Sequence, residues 1–88
     1  MYLHLGKDVI VSRDAIIGIF DIERTSQSIK TRKYLEKAQK NGQIVTVDDE
    51  LPASFVLCHK DGKTNVYLTQ ITAATLGKRI LMEIGRKI

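Results

Sequence analysis

Cysteine and proline each occur once in this chain of 88 residues, and no apolar run approaches the length of a membrane span. Each scarcity excludes something. The lone cysteine, Cys58, cannot close an internal disulfide, which fits a reducing compartment. A bilayer span needs about 20 consecutive apolar residues, and the longest apolar stretch here is of strand length. The opening residues 1–6 carry neither a basic region nor a long apolar segment, so no secretory signal is expected. A cytoplasmic protein without a membrane partner follows as the expectation. Catalytic chemistry is equally thin. Cys58 and His59 are neighbours in a strand-like stretch, so their side chains point to opposite faces and cannot form a thiolate–imidazolium pair. Cys58, His59 and His4 lack metal-ligand spacing. None of the six glycines falls in a dinucleotide or phosphate-loop pattern. Asp21 and Glu23 would share a strand face about 7 Å apart, but no second motif supports acid–base work by them. No enzyme, cofactor or metal is expected.

What is present is an uneven charge. The net charge is +4, but residues 24–40 alone hold Arg24, Lys30, Arg32, Lys33, Lys37 and Lys40 against Glu36. Residues 41–57 hold only the acids Asp48, Asp49 and Glu50, and residues 71–88 return to a positive balance. Cations concentrated on particular elements are what a phosphate-backbone binder needs, although inert domains share the trait. A chain of this size buries only about 60–65% of its unfolded surface, so self-association is a natural way to gain stability.

The isoleucine-rich stretch 15–23 reads as a buried, central strand, because four β-branched isoleucines and Phe20 suit a pleated surface. Gly18 interrupts it, which marks a bulge or a close backbone approach where another chain could come near. Before it, residues 1–5 and Val9-Ile10-Val11 read as a hairpin turned by Gly6-Lys7-Asp8. Arg13 sits in the link that follows. After the central strand, Ser26 or Ser28 can cap a helix that runs to about Lys40 and stops at Asn41-Gly42. Helical periodicity puts Thr31, Tyr34, Leu35 and Ala38 on one face and Lys30, Lys33, Lys37 and Lys40 on the other. Residues 43–47 form a further strand, and Asp48-Asp49-Glu50-Leu51-Pro52 an acidic loop closed by proline. Residues 53–58 and 64–68 make the clearest hairpin, through Asp61-Gly62. A last helix starts near Thr72, with Ala73, Leu76, Gly77, Ile80, Ile84 and Ile88 in one stripe. Leu81 and Met82 hint at a second apolar surface usable by an oligomer. The expected fold is one small α+β domain over residues 1–88, a mixed or antiparallel sheet of about five strands with two helices.

The lysine stripe admits two readings. It is either a solvated face whose cations favour the C-terminal end of the helix dipole, or a row of ammonium groups that awaits a polyanion. Duplex DNA fits the second, since each neutralised phosphate releases condensed counterions. Nothing on the helix resembles a base-reading pattern.

Four segments together, Met1-Tyr2-Leu3-His4-Leu5-Gly6, Ile17-Gly18-Ile19-Phe20-Asp21-Ile22, Val66-Tyr67-Leu68 and Thr75-Leu76-Gly77-Lys78-Arg79, resemble the bacterial extracellular-matrix regulator family, RemA and RemB. The likeness is closest to the RemB branch and runs over about residues 1–80. The resemblance implies a layout similar to LytTR-like DNA-binding domains, assembly into homo-oligomeric rings, and transcriptional activation of biofilm-matrix genes by binding double-stranded DNA. It places Arg13 at a basic position used on DNA, and Lys30 and Arg32 in a basic segment at the helix start. With the stripe, the expected DNA-binding residues are Arg13, Lys30, Arg32, Lys33 and Lys37. The acidic loop stands where RemA-like proteins carry arginines. It supplies the competing expectation, a scaffold or co-regulator that docks through residues 48–50 onto a basic partner such as a paralogous regulator.

Overall fold

The computed structural model of the protein describes residues 2–25 and 28–86, with the side chains at 25 and beyond 81 outside that description. Two sheets organise it. Strands β1 (Tyr2–Gly6) and β2 (Val9–Ser12) form an antiparallel hairpin that stands as its own two-stranded sheet. The four-stranded sheet runs β3 (Ile16–Asp21), β5 (Ser54–Lys60), β6 (Lys63–Thr69), β4 (Ile44–Thr46) from edge to edge. Its β3/β5 and β5/β6 pairs are antiparallel, and β4 lies parallel to β6. A single helical turn α1 (Ile22–Thr25), helix α2 (Ile29–Lys40) and helix α3 (Ala73–Arg86) complete the α+β fold. The count therefore comes to six strands and three helices among the described residues, because the N-terminal hairpin separates from the main sheet and residues 22–25 coil.

Alternation along the strands builds three layers. Phe20, Phe55, Leu57, Val66, Leu68 and Ile44 turn to one side, where Leu35 and Ala38 of α2 cover them. Ile19, Val56, Cys58 and Tyr67 turn to the other, beneath Leu3, Leu5 and Val11 of the hairpin and Leu76 and Ile80 of α3. Thr69 ties the layers together: its fully buried hydroxyl donates to the Leu5 carbonyl at 2.6 Å and accepts from the Ile71 N–H. Arg79 Nη1 also donates to the His4 carbonyl at 3.0 Å.

The stretch expected to be central lies at an edge. Both faces of β3 are covered, which accounts for its continuous apolar sequence, yet among the described residues one row of its backbone groups faces no neighbouring strand. The bulge expected at Gly18 is present, as the register slips between Ile16 and Gly18 and leaves Ile17 62% exposed. Gly18 also makes room for Phe20: a Cβ there would lie 2.7 Å from the Phe20 ring, which stacks on Phe55 with centroids 4.9 Å apart. The strand ends earlier than the pattern suggests. The Asp21 carboxylate accepts from the Arg24 N–H at 3.2 Å and so caps the turn that follows. Asp21 and Glu23 therefore do not form a carboxylate pair on one strand face.

Other local expectations hold. Ser28 caps α2 by accepting from the Thr31 N–H, while Ser26 lies outside the described residues. Gly42, at φ 69°, ends the helix. Asp61 and Gly62, at φ 53° and 77°, turn the β5–β6 hairpin with both central residues left-handed, the geometry that matches strand twist. Thr72 Oγ1 accepts from the Thr75 N–H and starts α3. Leu81 of α3 is exposed; Met82, Ile84 and Ile88 fall outside the described side chains.

Candidate nucleic-acid interface

Helix α2 owes its orientation to the apolar positions Leu35 and Ala38, which dock on Phe55, Leu57, Val66 and Leu68. With that face fixed, 3.6-residue periodicity turns Lys30, Lys33, Lys37 and Lys40 outward, and all four are exposed. Among the described residues, none of the four has an acidic or hydrogen-bonding partner. Glu36, the one acid on the helix, is exposed and borders the stripe, about 60° round the helix from Lys33 and about 40° from Lys40, but makes no ion pair with either. Arg32 is exposed too, but at about 100° of rotation per residue it stands beside the lysines instead of among them. Lys37 and Lys40 occupy the last turn, where the partial negative charge of the helix end favours cations.

Arg13 is placed elsewhere. It opens a 3-10 turn, Arg13–Ala15, between the hairpin and β3. Ala15 of that turn packs into the cluster beneath the hairpin, on the far side of the sheet from α2. Arg13 itself is half-buried and already engaged within the chain. The fold thus gathers Lys30, Lys33 and Lys37 on one surface, sets Arg32 at its flank, and leaves Arg13 across the sheet.

The acidic loop joins β4 to β5. It holds fewer exposed acids than its sequence suggests, because Asp48 is buried. Its Oδ1 accepts from the Glu50 N–H at 3.0 Å, and its Oδ2 is buried with no partner among the described residues. Asp49 and Glu50 remain outside, next to Leu51, which is 91% exposed. Direction matters here. Lys30 borders a 250 Å³ groove with Phe20, Tyr34, Phe55 and Leu57, near the sheet end from which this loop emerges. Lys37 borders a depression with Gln43 and Thr64, toward the opposite end. Lys30 is accordingly the stripe residue toward the acidic-loop end of the sheet, and Lys37 lies toward the other end.

Cys58 and His59 behave as alternation dictates: the thiol is buried while His59 is exposed and bonded to Thr64 Oγ1 at 2.8 Å. Burial pushes the Cys58 thiol pKa up, which opposes thiolate chemistry. Sequence reasoning missed Lys60 and Lys63, which face each other across the last rung of β5–β6. The signal was available, since a two-residue Asp-Gly turn makes its flanking residues a cross-strand pair.

Residues 2–80 match the family described as RemA-like, extracellular matrix regulatory protein A-like. The extracellular matrix regulatory protein B of Bacillus subtilis (strain 168) is 35% identical over 79 residues, an alignment that spans 90% of this chain and 89% of that protein. A likeness over nearly the whole of both chains, added to the α+β fold and its edge-strand core, means that the chain belongs to the RemA-like family of extracellular matrix regulatory proteins.

Proposed function

We propose that the protein is a non-enzymatic, oligomeric regulator of extracellular-matrix genes that holds the phosphate backbone of double-stranded DNA through Lys30, Lys33 and Lys37, with Arg32 at the margin. One observation carries this reading: four exposed ammonium groups aligned on α2 with no acidic partner among the described residues. Such a row is self-repelling until an anion neutralises it. Arg13 stands on a different surface, so it reaches the same duplex only if the DNA wraps or a second subunit presents it. Homo-oligomerisation, as a ring or otherwise, is supported by the open edge of β3 with exposed Ile17, since unpaired strand edges are templates for another chain. Repeating a weak cationic patch around an assembly multiplies its affinity. The family's regulatory name, and that of the Bacillus relative, supports the matrix-gene assignment.

A mobility-shift titration at low salt tests the DNA reading. A shift that weakens steeply as salt rises is expected, and no shift with any duplex would remove the proposal. The exposed Leu51, preceded by the exposed Asp49 and Glu50, favours a second reading in which this corner docks a basic protein such as a paralogue. A partner that stays bound after nuclease treatment, and is released by Leu51→Asp, would favour the scaffold over the DNA binder.

A further inference from the structure

The β5–β6 hairpin extends past the point where β3 stops pairing with it, so its last rungs project beside the N-terminal hairpin. A cleft of about 410 Å³ opens between the two, within the range that holds small ligands. One wall carries Tyr2, Ile10 and Ser12 from the N-terminal hairpin. The other carries Lys60, Lys63, Asn65 and Tyr67, and buried Cys58 lines it as well. Two features give this cleft a chemistry. Lys60 and Lys63 are direct cross-strand partners on the side that lines the cleft, and like charges so placed destabilise a ladder unless something neutralises them. Asp61 at the turn also lines the cleft and offsets one of the two charges, which leaves the lining cationic. Further in, Tyr67 and Tyr2 offer aromatic surface, and Ser12 and Asn65 offer hydrogen-bonding groups.

We propose that this cleft is a ligand site for a small phosphorylated compound with a planar ring, of nucleoside monophosphate size, its phosphate between Lys60 and Lys63 and its ring against Tyr67. The site lies on the hairpin side of the sheet, away from the α2 stripe, so it is independent of the DNA reading. It gives the subunit a place for an effector.

The test is isothermal titration of the full chain, without DNA, against adenosine monophosphate and, separately, inorganic phosphate. Saturable binding of the nucleotide is expected, tighter than phosphate alone. The exposed pair changed to glutamine, K60Q/K63Q, should keep the wild-type circular dichroism and lose about tenfold or more in nucleotide affinity. Tyr67→Leu should weaken the nucleotide while leaving the phosphate unchanged. No saturable nucleotide binding, or binding that K60Q/K63Q leaves intact, would overturn the site. Loss of duplex salt dependence in K60Q/K63Q without any nucleotide binding would overturn it as well, by assigning both lysines to DNA.

Discussion

Gly18 and Phe20 show how much one hydrogen atom can decide. Phe20 can fold back over the strand and stack on Phe55 only because position 18 has no Cβ. Gly18→Ala should therefore destabilise the fold by about 1–3 kcal/mol, the usual range for overpacking, read from urea denaturation. The same substitution in a Phe20→Leu background should cost clearly less, and equal costs in the two backgrounds would contradict the close-approach account. Cys58 makes a second prediction. Its pKa is raised above the 9.0 of an unperturbed thiol, so the folded chain keeps that proton to higher pH than the unfolded chain does. The stability it contributes is complete below about pH 9 and is lost as pH rises through the folded-state value. Cys58→Ala should flatten the alkaline decline measured by denaturation at stepped pH, and an unchanged decline would place its origin elsewhere.

At the scale of elements, the Thr69 hydroxyl is the link between the N-terminal hairpin and the main sheet. Thr69→Val keeps the shape but strands the Leu5 carbonyl and the Ile71 N–H, a loss of about 1–3 kcal/mol. Amide exchange should quicken first across β1 and β2; uniform quickening through the sheet would mean that the hairpin is not a separately anchored unit. These elements were unequally legible in the sequence. The two hairpins, the caps at Ser28 and Thr72 and the stop at Gly42 could be read because each rests on residues within one turn of one another. The position of β3 could not. A run apolar on both faces reports that layers cover it above and below, and Ile19 and Phe20 are indeed covered on opposite sides. Edge or centre is a matter of in-plane hydrogen bonding, set by partners 33 and more residues away. For the candidate site the same division holds. Periodicity exposed the lysine stripe, whereas the separation of Arg13 from it depends on which layer each element joins.

For the whole molecule, the account joins an open sheet edge to a cationic helix. Light scattering should report a mass well above one 9.9 kDa chain, and Ile17→Lys, a charge on the exposed bulge, should lower it. A monomeric wild type would remove multivalency from the DNA reading. The most direct test of the central claim, that the α2 lysines hold a polyanion, is the slope of log affinity against log salt for a duplex, compared between the wild type and K30Q/K33Q/K37Q. Each phosphate contact contributes about 0.9 to that slope, so the triple variant should bind with a slope shallower by about 2.7 for every subunit in contact. Parallel lines for the two proteins, whatever their absolute affinities, would contradict it.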